Sequence, residues 1–363
     1  MSPELWHPLH DTPAFPPARF GAVADRIARI LNTRNDVLLI QAEAVVALEA
    51  VAASLGRPGM KVINVVTSLY GGWFGNWMRR TGAEVVDVTA EPARPITAEA
   101  VEAALDANPD TKVLALVHAE SASGIRNPLE EIVALARARG VVTVVDAVAS
   151  VGGHSLDVDQ LGIDIAVIGP QKALAGPAGL SALSVSPAAW KLISDEGPLR
   201  DSILSLIDQK AWLDTGRGAL AGTTAPLELF ALEAALDRVE AEGVPQMISR
   251  HVRAARATRA ALAAMGAELW VELTKCSNLV TAVKLPEGVR AEALLGVAPR
   301  VMELSAGVGP GADQLIRLNH TGRRARFDSV LGNVTAFGMG LRRSGVKADI
   351  AAAVDAVALH FGD

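Results

Sequence analysis

The sequence predicts an α/β protein: a large domain on a mainly parallel sheet flanked by helices, then a smaller α+β carboxy-terminal domain. Three observations predict it. Strand-like and helix-like patterns alternate strictly from residue 37 to residue 168, as a parallel sheet with right-handed crossovers requires. The runs 141–145 and 165–168 are short, apolar, rich in β-branched residues and bounded by Gly, as strands buried on both faces are. From Ala267 onward the alternation gives way to short strands and two closing helices.

In chain order, residues 1–19 are Pro-rich and read as an extended arm. A helical pattern covers 20–31 and a strand 37–40. Gln41-Ala42-Glu43 leads into a helix through Leu55, which the segment Gly56-Arg57-Pro58-Gly59 stops. Then come a strand at 61–66, a helix at 73–80, a strand at 84–88, a helix at 97–107, a strand at 113–117 and a helix at 128–139. Residues 181–185 read as a further, edge strand. Long amphipathic helices follow at 226–242 and 245–265. Short strands at 279–284, 301–304 and 315–318 precede the closing helices. The predicted division is an arm at 1–19, a large domain at 20–249 and a small one at 250–363.

Half of the 363 residues are hydrophobic and 20% are charged, the balance of a compact globular protein. A net charge of −6 without a basic cluster argues against nucleic acid as a partner. No apolar run approaches the roughly 18 residues that cross a bilayer. The start, MSPELWHPLHDTPAF, lacks the basic and apolar regions of a signal peptide. Cys276 is the single cysteine, so no intrachain disulfide can form and a cytoplasmic location is expected. The histidines are scattered, with no metal-ligand spacing.

The chemistry concentrates between residues 141 and 180. One apolar run ends in Asp146 and the next in Gly169-Pro170-Gln171-Lys172. Ligands of open α/β sheets bind beyond the carboxyl ends of the strands, so both side chains would face one crevice. A carboxylate and an amine are what a pyridine aldehyde needs: the amine condenses with the aldehyde, and the carboxylate keeps the ring nitrogen protonated. Taken singly, the Asp could be a helix cap and the Lys a solvated surface charge. The setting of Lys172, GPQKALAGPAGL, is apolar and turn-rich and offers an ammonium little water.

DAVASVGG followed by GPQKALAGPAGL resembles the core of the class V aminotransferases of fold type I, the alanine–glyoxylate aminotransferase group. The resemblance implies a large domain with a seven-stranded sheet, Lys172 as the Schiff-base lysine, and Asp146 as partner of the pyridine nitrogen, with Val148 among the cofactor contacts. His118-Ala119-Glu120-Ser121-Ala122-Ser123-Gly124 resembles the family's H-x-E-[ST]-x-[ST]-G segment, which makes Ser121 a cofactor contact. Tyr70, in SLYGGWFG, stands where the family stacks an aromatic ring on the pyridine, and is preferred to Trp73. Arg317, in RLNHTG, matches the arginine that holds the substrate carboxylate in a two-pronged bond. Gln171 and Thr223 fall where the family closes the phosphate end, Thr223 across a subunit interface of a homodimer or homotetramer.

Glu43 is the most informative position. Family members place Ser, Gly or Thr in this turn, where amides, a hydroxyl and a helix N-terminus hold the 5′-phosphate of pyridoxal phosphate. Here the turn is Gln41-Ala42-Glu43-Ala44. A carboxylate at a helix N-terminus is ordinarily a favourable dipole partner. In this family it would occupy the phosphate's place and accept a hydrogen bond from a free 5′-hydroxyl. One branch carries this substitution, the pyridoxamine–pyruvate aminotransferases, which act on unphosphorylated pyridoxamine and pyridoxal. The resemblance spans roughly residues 20–345, including EAVVALEAVAAS around Glu43.

Two departures bear on the amino acceptor. The family's amino-terminal Gly-Pro-rich segment has no counterpart, and Val308 stands where that branch has a second arginine. The resemblance thus implies an aminotransferase moving an amino group between pyridoxamine and a small 2-keto acid, pyruvate first. The alternatives are a conventional pyridoxal-phosphate-dependent class V aminotransferase or related lyase, and a non-catalytic B6-binding protein.

Overall fold

The structure, a computed structural model, describes residues 12–195, 197–218, 220, 222–299, 304–309 and 311–362. Most of the expected amino-terminal arm, residues 1–11, lies outside the described residues. The arm is shorter than expected, because a helix begins at Pro17 (Pro17–Ile30), where proline's fixed φ suits a first helical position.

Seven strands form the main sheet: β1 (Asp36–Ile40), β2 (Lys61–Val66), β3 (Glu84–Thr89), β4 (Val113–Val117), β5 (Val142–Asp146), β6 (Ile165–Ile168) and β7 (Ser181–Val185). Their order is β1-β7-β6-β5-β4-β2-β3. β2 through β6 pair in parallel, while β7 runs antiparallel to both β6 and β1. This corrects the reading of 181–185 as an edge strand: β7 is interior and fully buried. Its Ser181 carries a polar group into this interior, and its Oγ donates to the carbonyl of Ala42 at 2.9 Å. With β7 alone reversed, the carboxyl ends of β1, β2, β4, β5 and β6 open on the same edge.

The crossover helices follow the expected spacing. The second begins earlier than predicted, at Leu69 (Leu69–Arg80), because the Ser68 hydroxyl caps it. Helices Pro187–Ser194 and Leu206–Asp214, which sequence reading did not pick out, cover the β1–β7 side.

A second, antiparallel sheet has the order β10-β11-β9-β8, with β8 (Glu268–Leu269), β9 (Val280–Lys284), β10 (Leu304–Ala306) and β11 (Leu315–Asn319). Of the strand expected at 301–304, residues 301–303 lie outside the described residues. The packing separates into two large hydrophobic cores. One gathers the main sheet and its helices; the other gathers the small sheet with helices Phe327–Arg343 and Ile350–Phe361. The long helix Val244–Ala264 serves both, giving Met247 to the first core and Ala254, Ala257 and Ala261 to the second.

Candidate active site

Each strand end delivers one polar group. Ile40 closes β1, and after two residues Glu43 caps the helix Ala44–Leu55. Its Oε2 accepts the Val45 N–H at 2.8 Å and its Oε1 accepts Gln171 Nε2 at 2.7 Å. Both oxygens are therefore engaged at a helix N-terminus, where the backbone field favours negative charge. β2 leads through Thr67 and Ser68 to Tyr70, whose ring packs edge-on against Trp73 at 5.5 Å between centroids. β4 leads to Glu120 and Ser121. β5 ends at Asp146, whose Oδ1 accepts the Val148 N–H at 2.9 Å. β6 leads into the turn carrying Gln171 and Lys172, closed by the Gly176 N–H on the Pro170 carbonyl at 2.8 Å.

Two adjoining cavities result. The first, about 300 Å³, is lined by Glu43, Tyr70, Ser121, Asp146, Val148 and Lys172, with Trp73 among its other walls. The second, about 230 Å³, is lined by Glu120, Ser121, Gln171, Lys172, Arg317 and Arg324, with Ser305 and Asn319 from the small sheet. Ser121 and Lys172 line both, so Lys172 stands at the junction. Arg317, on β11, is held by two carbonyls: Nε donates to Ala306 at 2.9 Å and Nη1 to Ser121 at 2.7 Å. The rest of its guanidinium is not committed to those bonds.

Burial sets the electrostatics. It raises the Asp146 carboxyl to about 6, against the Val148 N–H and the nearby Lys172, with Glu43 adding repulsion. It lowers Lys172, and Arg317 and Arg324 push the same way, while Glu43 and Asp146 oppose. A lowered amine has more of the neutral, nucleophilic form at neutral pH. Glu120 is raised to about 7 by burial, although Ser68 and Thr67 donate hydroxyl hydrogen bonds to it at 2.5 and 2.6 Å.

Eight of the nine side chains singled out in the sequence therefore line the two cavities. Thr223 does not: it is exposed in the loop before helix Pro226–Glu242. That loop does lie beside the Glu43 turn, because the Ala225 N–H donates to Gln41 Oε1 at 2.8 Å. Val308 is 40% exposed and lines neither cavity. Sequence reasoning passed over Glu120 and Arg324. Glu120 was visible as the acid before Ser121, but only the fold shows it fastening Thr67 and Ser68, which start the Tyr70 helix. Arg324 sits in an Arg-Arg-Ala-Arg run where nothing in the sequence marks the one turned inward.

A pyridine aldehyde fits the first cavity by its donor set: an amine, a buried carboxyl, an aromatic ring and a carboxylate at the far helix end. Among the described residues no group of His, Cys, Asp and Glu could hold a metal ion. No helix among them is long and apolar enough to cross a membrane.

A profile of the family described as "Aminotransferase class-V" matches residues 18–298. The chain is 32% identical over 342 residues to a pyridoxamine–pyruvate transaminase of Mesorhizobium japonicum, covering 93% of this chain and 86% of that protein. It is 33% identical over 300 residues to an uncharacterized aminotransferase of Methanocaldococcus jannaschii, covering 82% and 78%. Among solved structures, pyridoxamine–pyruvate aminotransferase from Mesorhizobium loti superposes with a TM-score of 0.92 at 31% identity, over 99% of this chain and 94% of that one.

Proposed function

The chain belongs to the class V aminotransferases, and from that premise we propose that it exchanges the amino group between unphosphorylated pyridoxamine and a small 2-keto acid. With pyruvate the products are pyridoxal and alanine. The observation that carries the reading is Glu43. Its carboxylate takes both the Val45 N–H, in the first turn of the helix Ala44–Leu55, and the Gln171 amide, the groups that would otherwise face a phosphate. Two unit charges about 4 Å apart at an effective dielectric near 20 repel by roughly 4 kcal/mol. The relative of similar fold and length is named for the same pair of substrates.

A pyridoxal-type group supplies a carbonyl or amine carbon conjugated to an electron-withdrawing ring. Asp146 holds the proton on the ring nitrogen; the charge of that N–H⁺ would return its raised carboxyl to the ionised form. Tyr70 covers a ring face and Ser121 bonds the polar rim. Lys172 Nζ, lying between the two cavities, moves the proton between the carbons that exchange the amino group. Arg317 turns its remaining N–H groups to the keto-acid carboxylate. Val148 holds Asp146 in place through its N–H. Gln171 orients Glu43. Thr223, exposed beside the Gln41 turn, would complete the site of a neighbouring subunit in a cytoplasmic homodimer.

The test is a pair of spectrophotometric titrations, with pyridoxal and with pyridoxal phosphate. Wild type is expected to bind pyridoxal at least about a hundredfold more tightly, given the repulsion above. Glu43→Ser gains affinity for the phosphorylated form and loses some for pyridoxal. Wild-type protein that holds stoichiometric pyridoxal phosphate through purification would overturn the reading in favour of a conventional cofactor-dependent aminotransferase.

A further inference from the structure

Resting on the assignment of Arg317 to the acid's carboxylate, we propose that Ser305 and Asn319 are further binding residues, two uncharged donors that complete the carboxylate site. Their placement follows from the small sheet. Ser305 on β10 stands directly opposite Arg317 on β11. Facing residues of an antiparallel pair share one face of the sheet, with Cβ atoms about 4.5–5.5 Å apart. Asn319 lies two residues beyond Arg317 on the same strand, so its side chain leaves the same face. All three line the 230 Å³ cavity, while Ile316 and Leu318 turn the other way into the second core.

The hydroxyls and amides of this cavity divide by what already holds them. Thr321 Oγ1 donates to the Leu279 carbonyl at 2.9 Å, and Ser277 Oγ accepts the Leu279 N–H at 3.2 Å beside His154. Those two hydroxyls fasten the loops. The Ser305 hydroxyl, in contrast, has no partner among the described residues. Asn319 uses only its oxygen, which accepts the Thr321 N–H at 2.9 Å, and its Nδ2 has no partner among them. Two donors therefore stand uncommitted on the sheet face that carries Arg317.

One carboxylate has room for both. Its two oxygens offer about four acceptor sites. The N–H groups left to Arg317 after the Ala306 and Ser121 carbonyls take one site on each oxygen. The remaining sites would be buried without a partner, which is costly, unless neighbouring donors fill them. No second cation comes from Val308, which is exposed and lines neither cavity. Arg324 is already engaged, so the uncommitted donors beside Arg317 are Ser305 and Asn319.

The experiment follows a single half-reaction, which needs no acceptor acid. Protein loaded with pyridoxal, or with pyridoxal phosphate if titration shows that form to be retained, is mixed with L-alanine. Loss of the visible absorbance is followed against alanine concentration. Ser305→Ala breaks no hydrogen bond among the described residues; it is expected to raise the apparent alanine constant about tenfold, with the limiting rate within about twofold. Ser305→Thr keeps the hydroxyl and restores most of the affinity. Asn319→Asp keeps the oxygen that Thr321 needs but replaces the donor with negative charge, and raises the constant further. Calorimetric titration of the loaded proteins with propionate, a carboxylate with no group to react, gives the same order. Unchanged cofactor titrations show that the first cavity is intact. Alanine and propionate constants within about twofold of wild type in both Ser305→Ala and Asn319→Asp overturn the proposal. So does an effect seen with L-serine but not with L-alanine, which would make the pair a reader of side-chain hydroxyls. Because the half-reaction runs with either cofactor form, failure of the pyridoxamine reading leaves this test standing, and the two fail separately.

Discussion

The two cavities meeting at Lys172 are built oppositely. The first is anionic, lined by Glu43 and Asp146, and its groups hang from strand ends rooted in the larger core. The second is cationic, lined by Arg317 and Arg324, and takes half its wall from the small sheet and its turns. The proposed reading puts a protonated pyridine on the first side and a carboxylate on the second. The amine between them is pulled up by Glu43 and Asp146 and pushed down by burial and both arginines, burial weighing most. The contrast teaches that the site's polarity is built across the junction rather than by any single residue, and in the proposed reaction that polarity orients the two reactants.

The sharpest way to break this arrangement is to remove its junction. Lys172→Ala is expected to cut transamination by at least about 10⁴-fold and to abolish the visible absorbance of bound pyridoxal. A Lys172→Ala protein turning over at the parent rate would end the assignment.

Arg317→Ala tests one side against the other. It should weaken keto-acid and amino-acid binding by about 2–4 kcal/mol, the loss of a charged two-pronged bond, and leave the pyridoxal constant nearly unchanged. A changed pyridoxal constant with an unchanged pyruvate constant would make Arg317 a structural clamp for the Ser121 loop.

The third prediction concerns Glu120, on the wall shared with the Tyr70 helix. Its folded pKa is raised from 4.5 to about 7, so it contributes stability that is full below pH 4.5 and lost as pH rises through 7. At about 1.4 kcal/mol per pH unit that is on the order of 3 kcal/mol. Denaturant unfolding at pH 5 and pH 8 should show wild type losing about that much more than Glu120→Gln. Equal pH dependence in the two proteins would mean that Glu120 is ionised throughout.

Much of this was legible in the sequence because the residues report on their own local structure. Apolar, β-branched runs ending in Asp146 or in Gly169-Pro170-Gln171-Lys172 declare buried strands and what stands at their ends. Chain order and the run lengths were enough to predict a mainly parallel sheet, and one turn, Gln41-Ala42-Glu43, carried the question of the phosphate. What the sequence could not contain are relations between segments far apart in the chain. That β7 lies between β1 and β6 depends on its pairing with β1, where Ser181 stands opposite Ile40 from a distant part of the chain, and local periodicity holds no signal for that. Glu120 fastening Ser68, and Ser121 receiving Arg317 from 196 residues away, are likewise products of packing. Arg324 is the clearest case. Among the arginines at 323, 324 and 326 only Arg324 is half-buried, because the turn behind it is pinned to the lysine loop. The sequence by itself determined which groups stand at the strand ends; the tertiary structure decided which of them face one another, since facing is set by long-range packing and not by neighbours in the chain.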